Sequence, residues 1–292
     1  MIPFADANPI RRVPRVTLLL SALCIVVYFA VQPTGTPELH WDGIIERGAE
    51  GDLRFAVDNA AIPCEITQGR PLTEREFEET FREFPHDFSA CSDEGGPAHS
   101  PGKVVWLALI ATMFLHGSIP HLFGNLVFLW VFGNNLEAHK GWWRYLLLYL
   151  VGGAAATLAH VLLFPNSTVP MVGASGAIAA VMGAYFVLWP NVRIKSIIPI
   201  GPVFLRKVQA LWLLVIWLAS NLLLVGETSG VAWAAHLGGF AFGALVGLWW
   251  RHQDSRRPPA TTAPMPPPPE LSTPSAPNAP NAPNAPNAPA PV

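Results

Sequence analysis

The 292-residue chain is 51% hydrophobic and only 13% charged, about half the charged content usual for a soluble domain. Its 18 basic residues nearly balance its 20 acidic ones, and its three cysteines show neither Cys-x-x-Cys spacing nor another metal-ligand pattern. These numbers argue against nucleic acid as a partner and against a bound metal or cofactor, and they make lipid the expected solvent.

Residues 1–15 form a short N-terminal segment with Arg11, Arg12 and Arg15 at its end. Val16–Gln32 is the first of six apolar stretches near the ~20 residues that a bilayer requires. Basic residues before it would also suit a signal peptide, but no small-x-small cleavage site follows, so it is expected to be retained as transmembrane helix 1 (residues 16–32). Residues 33–102 then hold 15 acidic and 5 basic residues. Within them Thr73–Phe84 (TEREFEETFREF) reads as an amphipathic helix. Thr73 stands as N-cap, Glu76 completes a capping box, and Phe77, Phe81 and Phe84 share one stripe. A small exposed subdomain and a segment lying on the membrane surface are both open readings. Cys64 and Cys91 fall here too, and an oxidising exterior would permit them to pair.

Five further apolar stretches follow: Ile119–Ala138, Trp143–Phe164, Gly173–Pro190, Val208–Val225 and Val231–Trp250. Residues 103–250 are therefore expected to form one core with transmembrane helices 2–6. Residues 251–292 are Pro-rich and end in four Asn-Ala-Pro units, Asn278–Pro289, a composition that cannot build a core and is expected to form a disordered tail.

Lys and Arg cluster before span 1, between spans 2 and 3 (Lys140, Arg144), between spans 4 and 5 (Arg193, Lys195, Arg206, Lys207) and after span 6 (Arg251, Arg256, Arg257), while the loops after spans 3 and 5 have none. The positive-inside rule then predicts six spans in the cell membrane with both termini cytoplasmic and the acidic segment outside. The expected fold class is an all-α polytopic membrane protein, a six transmembrane helix bundle.

Polar side chains inside lipid are costly and mark functional candidates. His121 and Asn125 lie near the outer end of span 2, Ser175 near the outer end of span 4, and His236 about six residues into span 6. Three spans thus place polar groups at similar depth. Ser175 in Gly173-Ala174-Ser175-Gly176 fits a nucleophile at a helix N-terminus with free backbone N–H groups beside it, or simply a small-residue helix contact. His236 fits the general base that an unactivated serine needs, or a structural histidine. His121 and Asn125 share a helical face and can both donate to an oxyanion, or act as interhelical glue. His116 is read as structural, holding the loop into span 2. Gly239, Gly243 and Gly247 form a smooth stripe on span 6, for which Ser175, Ala179 and Gly183 offer a matching ridge on span 4. No Asp or Glu lies near these groups, since Glu137 sits at the far end of span 2, so the chemistry would run as a dyad.

The His-x-x-x-Asn of His121 and Asn125, the Gly-x-Ser-Gly around Ser175, and the Ala-His-x-x-Gly-x-x-x-Gly from Ala235 occur in order on spans 2, 4 and 6. In this the chain resembles the rhomboid intramembrane serine proteases, in the bacterial six-span form, over about Trp106–Trp250 plus span 1. The resemblance implies Ser175 as nucleophile, His236 as its base, and Asn125, His121 and the Ser175 N–H as the oxyanion site. It implies single-span membrane proteins as substrates, cut near their outer end from a water-filled cavity that opens outward. Some members carry a Tyr four residues after the nucleophile, packed on the histidine. Ala179 stands there, so what orients His236 is open. The alternative function is a catalytically inactive relative that binds client helices. A transporter would instead need charges or broken helices along a full path.

Overall fold

The computed structural model describes residues 2–6, 13–33, 38–39, 45–46, 49–81, 88–92, 95–198, 204–223 and 232–256. The expectations for Phe84 and for the Asn-Ala-Pro tail lie outside these. The described elements run β1 (Ile2–Asp6), α1 (Arg15–Val26, prolonged by a π turn to Val31), the short strands β2 (Glu38–Leu39) and β3 (Ile45–Glu46), then α2 (Ala49–Asn59), α3 (Pro63–Gln68) and α4 (Glu74–Phe81). Next come α5 (Val105–Ala111), α6 (Ile119–Phe128), a π turn at Leu129–Gly133, α7 (Asn134–Lys140), α8 (Trp142–Leu163) and α9 (Ser175–Leu188). The order ends with β4 (Arg193–Ile198), β5 (Phe204–Gln209), α10 (Ala210–Leu223) and α11 (Trp233–Ser255).

The protein is mostly helical. Among the described residues, α8 alone is long and apolar enough to cross a bilayer by itself. Val105–Phe114 and Ile119–Lys140 qualify as a pair, bent by 82° at their break, and Arg15–Val31, Ser175–Leu188 and Ala210–Leu223 are shorter apolar helices. The outward faces of these helices are apolar: Leu19 and Phe29 on α1, Trp212, Ile216 and Leu223 on α10, and Leu245 and Trp249 on α11 are all exposed. Apolar surface this extensive suits a lipid surround and not water. Helix α9 is the exception, buried from Ala177 to Tyr185. At 14 residues and 1.5 Å rise per residue it is only ~21 Å long. Its start at Ser175 therefore lies within the bundle.

Small residues let α9 sit at the centre. A Cβ on Gly243 would run into the Ala180 carbonyl, one on Gly239 into the Gly176 carbonyl, and one on Gly247 would meet Ala184 at 3.0 Å. The ridge that fills the α11 stripe is thus Gly176, Ala180 and Ala184, one residue along from the expected Ser175, Ala179 and Gly183. Gly183 instead receives the Phe240 carbonyl of α11. The shift turns Ser175 out of the close contact and leaves its hydroxyl free to face His236.

The all-α expectation is corrected. β1, β4 and β5 form an antiparallel sheet in the order β1-β4-β5 beyond the C-terminal end of α9. There the segment read as a basic loop between spans 4 and 5 folds into paired strands that bring Lys195 opposite Lys207. Asp6 of β1 accepts a hydrogen bond from the Tyr185 hydroxyl at 2.7 Å, tying the sheet to α9. Glu137 caps α1: its carboxylate accepts from the backbone N–H groups of Val16 (2.9 Å) and Thr17 (2.8 Å) and from the Thr17 hydroxyl (2.9 Å). A carboxylate there satisfies orphan donors and complements the helix dipole. Helix α11 continues past the expected end at Trp250 to Ser255.

Helices α2–α4 build a small subdomain at the Ser175 end of the bundle, with its own core of Val57, Ile62, Cys64, Leu72 and Phe77. Cys64 and Cys91 form a disulfide. The capping box forms: Glu76 N donates to Thr73 Oγ1 at 3.2 Å while Glu76 Oε2 accepts from Thr73 N at 2.7 Å. Burial alone would raise the Glu76 carboxyl, but the Arg70 guanidinium and the N–H groups of Thr73 and Ser92 outweigh it and hold the carboxyl at about 2. Glu65 and Lys103 form a buried ion pair, with burial pushing the carboxyl up and the ammonium down against their mutual attraction.

The subdomain grips the loop that leads into Ser175. Cys64 N donates to Ser167 O at 2.9 Å, Thr168 N to Phe88 O at 3.0 Å, Met171 N to Ala61 O at 2.8 Å, and the Thr80 and Thr168 hydroxyls bond at 2.8 Å.

Candidate active site

The approach to Ser175 is set by backbone geometry. Gly173 N donates to Thr112 O at 3.0 Å, and Gly173 has φ +126°, a conformation L side chains rarely adopt. A Cβ there would also meet His121 Nε2 at 2.8 Å and Ser175 Oγ at 3.5 Å. Glycine is needed both for the turn and for the passage of the His121 ring. The chain then enters α9 with Ser175 as its first residue, in the turn whose backbone N–H groups have no partner within the helix.

On α6, Ser118 is the N-cap, and its Oγ accepts from His121 N at 3.2 Å. This puts His121 in the first turn and Asn125 one turn on, along one face. The loop before it is pinned by Gln32 at the end of α1, which accepts from His116 N at 2.9 Å and donates to His116 O at 3.0 Å. His116 thus has the structural place expected of it, with its ring edge-on to that of His121.

His236 lies on the first turn of α11. Its Nε2 is 2.7 Å from Ser175 Oγ. His121, Asn125, Ser175 and His236 all line one cavity of about 1000 Å3, whose walls also include Phe128 and Trp217. Asn125 is only 8% exposed, and its Nδ2 makes no hydrogen bond among the described residues. A buried amide donor that lines the same cavity as a serine hydroxyl suits an oxygen that becomes negative. Gly183, Gly239 and Gly243 lie deeper, at the α9–α11 contact, and the Cys64–Cys91 disulfide lies in the acidic subdomain. Among the described residues the one group of three close ligand-type side chains is Cys64, Glu76 and Cys91, and its cysteines are joined to each other.

Two residues of α10, outside the motifs of spans 2, 4 and 6, also bear on His236. Asn221 Oδ1 is 2.5 Å from His236 Nδ1. The Trp217 ring lies 5.6 Å from the imidazole, inclined by 44°. Asn221 is the one carboxamide in its helix, and it follows Trp217 at i,i+4. A lone amide in an apolar run forms no motif of its own.

A Rhomboid domain matches residues 103–253, more than half of the chain. The chain belongs to the rhomboid family. The rhomboid region is 32% identical over 140 residues to RHOMBOID-like protein 5 of Arabidopsis thaliana, covering 48% of this chain and 42% of that one. It is 31% identical over 156 residues to Rhomboid protease AarA of Providencia stuartii, covering 49% and 55%. It is 39% identical over 79 residues to Rhomboid protease GluP of Bacillus subtilis, covering 27% and 15%. The match thus spans about half or less of these relatives. The helical fold and the apolar outer faces agree with a membrane-embedded rhomboid.

Proposed function

We propose that this rhomboid is an intramembrane serine endopeptidase that cuts single-span membrane proteins near the extracytoplasmic end of their transmembrane helix. The observation that carries the reading is the 2.7 Å approach of Ser175 Oγ to His236 Nε2, inside a cavity that Asn125 and His121 also line. Two relatives named as rhomboid proteases support it.

In the first half-reaction Ser175 Oγ bonds to the scissile carbonyl carbon while His236 Nε2 takes the hydroxyl proton. The carbonyl oxygen becomes an oxyanion that Asn125 Nδ2, His121 and the Ser175 N–H can hold. Collapse breaks the C–N bond, His236 returns its proton to the leaving amine, and an acyl-Ser175 ester remains. Water then attacks the ester with His236 again as base, and the acid departs as Ser175 regains its proton. The 1000 Å3 cavity gives water and an unwound substrate strand room within the bundle.

Six spans with both termini cytoplasmic follow from the alternation of basic loops. They place the acidic subdomain and the mouth of the site on the extracytoplasmic face. The alternative, an inactive relative that binds client helices, has no need of a hydroxyl bonded to an imidazole. The test is cleavage of a reconstituted single-span protein. Ser175→Ala should lower the rate by ~10³-fold or more while the protein stays folded. Wild-type cleavage by that variant would refute the reading.

A further inference from the structure

Asn221 is the third of four polar groups in series, after Ser175 and His236 and before the Trp217 carbonyl. Its Nδ2 donates to the Trp217 carbonyl one turn back on α10 at 2.8 Å. That carbonyl can only accept, so the amide nitrogen is committed to it and Oδ1 is turned outward. Oδ1 can also only accept, and it faces His236 Nδ1 at 2.5 Å, so Nδ1 must carry the ring proton. The neutral ring then has its lone pair on Nε2, the atom 2.7 Å from Ser175 Oγ. Every donor in the series points the same way, from Ser175 O–H to His236, from His236 N–H to Asn221, and from Asn221 N–H to the α10 backbone. The opposite tautomer would set lone pair against lone pair at Nδ1 and aim an N–H at the serine hydroxyl, where it could not act as a base.

Resting on the protease reading above, we propose that Asn221 is a positioning residue. It holds His236 in the tautomer and rotation that a general base requires, so that the working unit is Ser175, His236 and an amide from a third helix. Asn221 is buried, so removing its oxygen leaves the His236 Nδ1–H without its protein acceptor. Trp217, on the same face of α10, packs on the ring and limits its tilt. Ala179, buried on α9, offers no polar group that could take over.

The test compares Asn221→Leu with Asn221→Asp. Leu shares the branched outline of Asn and suits lipid, but it is bulkier and offers no acceptor. Asp keeps the acceptor oxygen and loses the donor to Trp217. A wrong tautomer costs a serine-protease triad on the order of 10⁴ in kcat. A neutral amide beside a wet cavity should matter less, so Asn221→Leu is expected to lower kcat by roughly 10- to 100-fold, with KM and the thermal midpoint near wild type. Asn221→Asp is expected to keep about a third of kcat or more. Nitrogen NMR of His236 should show Nε2 unprotonated in the wild type and a tautomer mixture in Asn221→Leu, whether or not the Asp variant folds. A kcat for Asn221→Leu within about twofold of wild type, equal impairment of the two variants, or an unchanged tautomer ratio would overturn the proposal. Ser175→Ala in the same assay separates the cases. If it is dead while Asn221→Leu is normal, only the positioning role fails; if it is active, the protease reading fails.

Discussion

The acidic subdomain and the helical bundle hold their residues together by opposite means. Around Glu76 the subdomain uses polar contacts and a covalent one: a capping box, the Arg70 guanidinium at 2.8 Å, the Glu65–Lys103 pair and the Cys64–Cys91 disulfide. Around α9 the bundle uses hardly any. Gly239, Gly243 and Gly247 bring α11 so close that its backbone touches that of α9. The difference follows the solvent. Lipid tails are as apolar as the helices, so association there depends on close packing. Water rewards burial of even a small core, but one this small needs covalent and ionic help. The site lies where the two meet, with Ser175 on the bundle's central helix and the loop before it gripped by the subdomain.

The largest effect should come from attacking the bundle's packing. Gly243→Val would drive a branched side chain into the Ala180 carbonyl, backbone that cannot give way, and should part α9 from α11 altogether, read as loss of folded protein and of cleavage. Gly95→Val in the subdomain, where a Cβ meets nothing within 4 Å, should change stability by less than about 0.5 kcal/mol. Next, removing the disulfide with Cys64→Ser and Cys91→Ser should destabilise the subdomain by about 2–4 kcal/mol. Limited proteolysis should then cut 49–102 first while α8, α9 and α11 stay protected. Cleavage should slow as residues 164–171 lose their brace. The smallest and most specific effect concerns pH. The Glu76 carboxyl is lowered from 4.5 to about 2, so its stabilisation is complete above about 4.5 and is lost as pH falls toward 2. Glu76→Gln should flatten that acid limb of subdomain unfolding. An unchanged limb would mean that another group controls it.

Much of this contrast is legible in the sequence, because both solvents leave local patterns. Apolar runs mark α1, α8 and α9 to within about two residues, whereas α5 before span 2 is not marked, and the Thr73–Glu76 spacing marks the capping box. What does not show in the sequence depends on distant partners. The Glu137 cap joins residues about 120 positions apart. The strands Arg193–Ile198 and Phe204–Gln209 looked like a basic loop because their pairing extends to β1 at the other end of the chain. The α9–α11 register slipped by one because α9 carries small residues on adjacent stripes, Ala179 and Gly183 beside Ala180 and Ala184, so no single ridge stood out. In the site, Ser175, His121, Asn125 and His236 were legible from three motifs. Asn221 was not, since a lone amide near the end of a helix forms no motif until the fold brings it to His236.

The central claim is that His236 activates Ser175, and covalent labelling tests it most directly. A fluorophosphonate forms a P–O bond with an activated serine and expels fluoride. The protein should take up one phosphonyl group, located by mass spectrometry on Ser175, and His236→Ala should lose that labelling while remaining folded. Labelling on another residue, or at an undiminished rate without His236, would contradict the account.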